Sequence, residues 1–413
     1  MPKTLLIRAS LLTPLDADRW RYISDGGLLI EAGRIVDVDR IEQFADGRDR
    51  NTLELDGLLV PGFADVHIHW VQHHVRGRFQ TDLMEWLREH IWPEEAGFEH
   101  AGLAHGHARA FFSDTIRAGT TLGMAYSSPH DGALRIAAEH ARGDWILGNA
   151  IMEKSAPEPL RRASPDNAEA VAPLLEELGT ARYAITPRFA LNCSARLMGE
   201  LGELARRTGA FVQTHLSESP REIREVREAF PEARDYTDVY DQAGLLTPRT
   251  VLGHCIHLSQ REYHTLAQRR SWIAHCPSSN EALDSGRMDL EAVRRHRLRF
   301  ALASDVGAGP SHSMLHVMQR FVDQHRAAGV PVTPKEALYR ATQAGADCLG
   351  RGGEAGSLAA GKRADFVLLP RPAGKAGIED WFEELLRGDA ADLERRPLQT
   401  WLGGTPVSPD PVT

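Results

Sequence analysis

Gly62-Phe63-Ala64-Asp65-Val66-His67-Ile68-His69 closes an apolar run of strand-like character. Residues two apart on a strand face the same way, so His67 and His69 form a pincer for a metal ion where this strand stops. The same reading applies further along the chain. His215 ends Phe211-Val212-Gln213-Thr214, His254 ends Val251-Leu252-Gly253, and Asp305 ends Phe300-Ala301-Leu302-Ala303-Ser304. Five polar groups at the tips of four predicted strands are expected if parallel strands close into a barrel whose carboxyl ends share one mouth. The pattern predicts a metal-dependent hydrolase.

Strand and helix patterns alternate between these points. After the first strand, strands are predicted at Thr120 to Tyr126, Trp145 to Ile151, Tyr183 to Phe189, Ala210 to His215, Thr250 to His254, Trp272 to Cys276 and Arg299 to Asp305. With the first, these complete an α/β fold of the (β/α)8 TIM barrel type. Leu197, Leu201, Leu204 and Ala205 have helical spacing, and Gly209 is placed to stop that helix. The ends of the chain read differently. Leu5 to Ala9 and a hairpin over 28–38, turning at Gly33, are strand-like; so are Gly356 to Leu358, Gly361 to Leu369, and Trp401-Leu402. Both termini are therefore expected to build one small β domain, residues 1–61 and 351–413, around a barrel at 62–350. The tail from Gly403 to Thr413 is expected to be loose.

Composition removes several classes. The chain has 413 residues, room for a barrel of roughly 250 residues and one companion domain. With 48 basic and 57 acidic side chains, the net charge of −9 has the wrong sign for a phosphate backbone, so no nucleic acid partner is expected. Cys193, Cys255, Cys276 and Cys348 are scattered without a Cys-x-x-Cys pair, which fits a reducing cytoplasm. The short apolar stretch at Met1 to Arg8 reads as a strand rather than a secretory signal, and no window is long enough for a membrane span.

A catalytic divalent cation needs a few nitrogen and oxygen ligands and a position open to water. His67, His69, His215 and Asp305 can supply that set. The chain has 19 histidines, and a lone histidine is more often a core or surface residue than a ligand; the joint spacing at strand ends sets these apart. His73 and His74 read as loop residues, and His105 and His107 as peripheral on a helix. His275 is expected inside the mouth but behind the ligands. The His-x-Glu and Pro-Cys-x-x-Cys signature of another class of zinc deaminase is missing.

On these residues the sequence resembles the amidohydrolase superfamily. Gln72, Leu83-Met84-Glu85-Trp86-Leu87, Thr186-Pro187-Arg188-Phe189, His215-Leu216-Ser217-Glu218, Tyr236-Thr237-Asp238-Val239-Tyr240, Ala274-His275-Cys276-Pro277 and Ser304-Asp305-Val306-Gly307 resemble the successive motifs of its guanine deaminase branch. The resemblance runs from about residue 56 to 370. It implies a distorted barrel, a small β-sandwich from both termini, one Zn2+ per chain (or Fe2+), a homodimer, and hydrolysis of guanine to xanthine and ammonia. It also implies roles. Glu218 would shuttle a proton to the ring nitrogen, His254 would hydrogen-bond the incoming hydroxyl, and Asp305 would take the water's proton. Gln72, Trp86, Arg188 and Phe189 would hold the purine: an amide and a guanidinium on its polar edge, aromatic rings on its faces. The blander alternatives are a solvated Glu218 ahead of Pro220, core roles for Trp86 and Phe189, and a structural ion pair for Arg188.

Some segments depart from that branch. His69-Trp70-Val71-Gln72-His73 stands where its members read His-Ala-Pro-Gln-Tyr, Cys276-Pro277-Ser278-Ser279-Asn280 where they read Cys-Pro-Asn-Ser-Asn, and Asp305-Val306-Gly307-Ala308-Gly309 where they read Asp-Val-Ala-Gly-Gly. These touch the pocket rim and leave the ligands unchanged. They keep open a related aminohydrolase or chlorohydrolase of another purine, a pterin or a triazine, and from another class, a noncatalytic scaffold. Strand four ends on Pro187-Arg188-Phe189, with no lysine to bridge a second metal.

Overall fold

A computed structural model of the chain describes residues 4–45, 51–80, 82–161, 167–371 and 377–407. The amino-terminal strands are β1 (Leu5–Pro14), β2 (Trp20–Glu31), β3 (Arg34–Arg40) and β4 (Asn51–Pro61). Ala32 and Gly33 turn β2 into β3 with φ of 50° and 77°, the left-handed pair that a two-residue hairpin requires.

The run quoted first is β5 (Phe63–His69), buried at every position. Burial on both faces explains why it reads as a continuous apolar stretch rather than as an alternation. Then follow β6 (Thr120–Ser127), β7 (Asp144–Ile151), β8 (Ala184–Pro187), β9 (Phe211–Leu216), β10 (Thr250–His254), β11 (Trp272–His275) and β12 (Arg299–Leu302). These eight strands are hydrogen-bonded in sequence order and all parallel. The ring is drawn together by backbone just past β12. The Asp305 N–H donates to the His67 carbonyl at 2.9 Å, and the His69 N–H to that of Val306 at 2.7 Å.

At the far end, β13 (Phe366–Leu369), β14 (Gln399–Leu402) and β15 (Thr405–Pro406) return to the amino-terminal strands. They form one seven-stranded sheet in the order β15-β14-β13-β4-β1-β2-β3. It curls, because the β3 edge at Ile35 exchanges backbone hydrogen bonds with Gly361 and Lys362.

The helix expected from the 197–205 spacing runs over Ala195–Thr208 and buries Leu197, Leu201, Leu204 and Ala205. Ser194 caps its start, and Gly209, at φ 69°, ends it by donating to the Ala205 carbonyl at 2.8 Å.

Four expectations need correction. The fourth barrel strand spans only Ala184–Pro187, so Arg188 and Phe189 lie beyond it. The eighth ends at Leu302, and Asp305 stands three residues further on at φ 52°, in backbone recruited by β5. Of the strand-like reading from Gly356 to Leu369 only Phe366–Leu369 is a strand; the residues before it form bends and turns with one isolated bridge at Arg363. The tail begins as a hairpin through Gly403 and Gly404; its end at 408–413 lies outside the described residues, as does 1–3 of the amino-terminal reading. Among the described residues no helix is long and apolar enough to cross a membrane.

Candidate metal and catalytic centre

The strand ends bring the predicted ligand set together. His67 Nε2 and His69 Nε2 lie 3.3 and 3.4 Å from Asp305 Oδ1, and His215 Nε2 lies 3.3 Å from His69 Nε2. Ligands about 2.0–2.2 Å from a tetrahedral cation are themselves about 3.4 Å apart, so the spacing fits one.

The hydrogen-bond chemistry fits as well. The Arg188 carbonyl is 2.7 Å from His215 Nδ1 and can only accept, so that nitrogen carries the proton and Nε2 presents a lone pair. Both nitrogens of His67 and Nδ1 of His69 are buried without a hydrogen-bond partner among the described residues. Burial pushes the His69 imidazole down to about 4 and that of His215 well below its ordinary value, so both are neutral, the form that binds a metal. Buried polar atoms without partners are costly, and a cation in their midst satisfies them together. Tyr126, whose ring stacks on His69 with centroids 4.4 Å apart, and Gly253, whose missing side chain leaves room for His67, hold the imidazoles in place.

Glu218 and His254 stand beside this set. His254 Nε2 is 3.3 Å from Glu218 Oε2 and 3.9 Å from Asp305 Oδ2, and its Nδ1 is 2.9 Å from Asn280 Oδ1. Ser285 donates to Glu218 Oε1 at 3.3 Å. Burial, then the nearby Asp305 charge, pushes the Glu218 carboxyl up to about 8, so in the metal-free site it holds a proton at neutrality. Ser217, His254, Cys255 and Asp305, all just at or past strand ends, have left-handed φ between 52° and 68°. Each such non-glycine residue costs roughly 1–3 kcal/mol, and backbone of this kind gathers at functional sites.

A small pocket opens over the set. Gln72, Trp86, Arg188 and Phe189 all line it, as do Glu218 and Asp305. Trp86 turns its indole N–H away to the Arg78 carbonyl at 2.6 Å, leaving the ring to the pocket. Arg188 and Gln72 are tied to a residue that the sequence reading missed. Glu95, wholly buried, takes both of its oxygens to Arg188 Nη1, at 2.8 and 2.6 Å, and accepts from Gln72 Nε2 at 2.8 Å. It sits on a short helix, Trp92–Ala96, with no motif around it and its partner 93 positions away.

Two other supports had a legible signal. Ser219 and Glu222 form a capping box at the start of the helix Pro220–Ala229, the Ser-x-x-Glu signature in the sequence itself. Glu222 also accepts from Tyr236 at 2.7 Å, and Tyr240 donates to the His215 carbonyl at 2.9 Å, which gives the Tyr236 to Tyr240 motif a function as a brace for His215.

The remaining histidines separate cleanly. His73 is buried rather than a free loop residue: its Nδ1 pairs with His312 Nε2 at 2.9 Å and its Nε2 lies 3.5 Å from Asp114, while His312 Nδ1 is buried without a hydrogen-bond partner among the described residues. His74 is exposed. His105 and His107 lie on the helix Ala101–Arg117, as expected. His275 is buried against His325, Nε2 to Nε2 at 3.1 Å, and does not line the pocket.

Residues 58–395 match the Amidohydrolase family. The chain belongs to that family. Among curated amidohydrolase relatives, the guanine deaminase of Escherichia coli K12 is 33% identical over 366 residues, covering 86% of this chain and 83% of the relative. A probable guanine deaminase of Deinococcus radiodurans is 36% identical over 380 residues, covering 86% and 85%. In three dimensions, a solved E. coli guanine deaminase aligns with a TM-score of 0.90 at 29% identity, covering 98% of this chain and 99% of that one. Barrel and terminal sheet are therefore the amidohydrolase architecture.

Proposed function

We propose that this chain is a guanine deaminase, converting guanine and water to xanthine and ammonia. The exocyclic C–N bond breaks and a C–O bond forms at the same ring carbon. The observation that carries the reading is one pocket holding both halves of the task. A cluster fit for a cation lies at its floor, and an arginine and an amide, already oriented, line its wall.

His67, His69, His215 and Asp305 would hold the cation. When bound, it supplies a positive charge that lowers the pKa of water toward neutrality. The nitrogen-rich set favours zinc, one ion per chain, with Fe2+ as the alternative occupant.

The chain's own residues do the rest. Asp305 accepts the water's proton and passes it to the amino group, which leaves as ammonia; Glu218 gives a proton to the ring nitrogen beside the attacked carbon and recovers one from the added hydroxyl as the new carbonyl forms. Protonation of that nitrogen neutralises the ring as the tetrahedral centre forms. His254, 3.3 Å from Glu218 and 3.9 Å from Asp305, hydrogen-bonds the incoming oxygen. Arg188 donates to the purine carbonyl, Gln72 offers a donor and an acceptor to the polar edge, and Trp86 and Phe189 cover the flat faces and exclude water.

The same reading takes a homodimer as the assembled form and purine breakdown in the cytoplasm as the setting. The family resemblance supports these, and the four buried, unbridged cysteines suit a reducing compartment. The test is ammonia release by purified, metal-quantified protein from a panel of amino heterocycles. Guanine should be turned over fastest. Faster release from a pterin or a triazine, or none from any of them, would overturn the proposal.

A further inference from the structure

Glu95 has no assigned part in the reaction, yet among the described residues it alone is bonded to both of the polar residues expected to read the substrate. Its side chain is 0% exposed and that of Arg188 4%. Such a carboxylate could be a plain structural counter-ion. The bookkeeping of donors points elsewhere.

Gln72 has its amide nitrogen against Glu95, which can only accept, and its amide oxygen 3.3 Å from the Gly307 N–H, which can only donate. Each contact independently requires the same orientation of the amide. One N–H and one carbonyl lone pair remain for a ligand. Arg188 spends Nη1 on both Glu95 oxygens, while Nε and Nη2 make no hydrogen bond among the described residues. The guanidinium thus enters the pocket wall with free donors but with its charge cancelled.

Charge is what separates substrate from product. In guanine the polar edge is neutral; replacing the amino group by a second carbonyl makes the flanking ring N–H more acidic, so xanthine ionises far more readily. An unpaired buried guanidinium would hold that anion, whereas a neutral Arg–Glu pair offers hydrogen bonds without a net charge.

We propose that Glu95 is a positioning and specificity-determining residue: it fixes the Gln72 amide and neutralises Arg188, so that the pocket selects a neutral oxopurine and lets the more acidic product go. This rests on the deaminase reading above.

The test compares wild type with Glu95→Gln in the metal-loaded enzyme, measuring the guanine KM and the inhibition constant of xanthine from about pH 6 to about pH 9. In the variant, the guanine KM rises about tenfold while xanthine binds about tenfold tighter at the alkaline end, where the wild type shows no such tightening. A merely structural role would weaken both ligands alike. Parallel changes in the two constants, or the same pH slope in both proteins, would overturn the proposal. If the variant does not fold, the wild type decides: xanthine inhibition that strengthens tenfold with rising pH contradicts a neutralised pocket. Absence of guanine turnover in the wild type removes the deaminase reading and this inference together; turnover with unmoved xanthine inhibition removes the inference alone.

Discussion

Glu218 is the residue on which most of the proposed chemistry turns, and its environment makes two separate statements. Glu218→Gln keeps the volume and the hydrogen bond from Ser285 but cannot carry a proton. Turnover is expected to fall by about 10²–10⁴ with cation content unchanged, measured by ammonia release beside metal analysis. The second statement concerns stability. Burial, then Asp305, raises this carboxyl from 4.5 to about 8, so the folded metal-free chain binds a proton that the unfolded chain has released. Protonation therefore favours folding: the benefit is complete below about 4.5 and fades as pH rises through about 8. Buried histidines and Glu222 titrate in the same range, so the expectation is for the difference between wild type and Glu218→Gln in denaturant unfolding of the metal-free protein: the stability of the wild type relative to the variant should decline by a few kcal/mol across that window, at about 1.4 kcal/mol per unit. Equal slopes would contradict the account. A third expectation concerns Arg188. Its removal to alanine strands Glu95 as a buried, unpaired charge, which costs about 3–5 kcal/mol besides abolishing guanine binding. The candidate ligands and Arg188, which the structure gathers around one pocket, were legible in the sequence because strand periodicity and a known motif mark them. Glu95 was not, because its significance lies in a contact between distant segments.

The strands fix where these residues stand, and small side chains decide how closely they approach. A Cβ on Gly253, in β10, would lie 2.8 Å from the His67 ring. Gly253→Ala should therefore displace His67 and reduce bound cation below one per chain in metal analysis, while the far-ultraviolet circular dichroism stays that of the folded barrel. Retention of a full equivalent would show that the imidazole has slack. Gly209, at φ 69°, offers a contrast far from the chemistry. Gly209→Ala strains the left-handed cap and should lower stability by about 1 kcal/mol without changing kcat/KM. That cap and its helix were readable from spacing alone, since Leu197, Leu201, Leu204 and Ala205 mark one buried face. The end of the eighth strand was not. The Ala303 N–H still donates to the His275 carbonyl of β11, but that of Ser304 turns to the Asp65 carboxylate and that of Asp305 to the His67 carbonyl of β5. Periodicity reports side-chain burial, and it is blind to which carbonyl an N–H has found.

At the scale of the molecule, the barrel gathers groups from four distant stretches of chain, and the terminal sheet joins sequence ends that no local pattern links. Strand alternation revealed the barrel, whereas the pairing of β13 with β4 and of β4 with β1 is a long-range fact. A cation bound only by the folded state stabilises it by mass action, about 4 kcal/mol at a thousandfold excess over its dissociation constant. Chelation should accordingly lower the Tm, and Zn2+ should restore it together with activity. The most direct measurement joins cation and substrate in one sample: metal-free protein titrated with Zn2+, with bound zinc and guanine-dependent ammonia release followed together. The account predicts that the rate rises in proportion to bound zinc and stops rising at one equivalent per chain. Zinc bound without ammonia release from guanine, or ammonia release independent of bound metal, would contradict it.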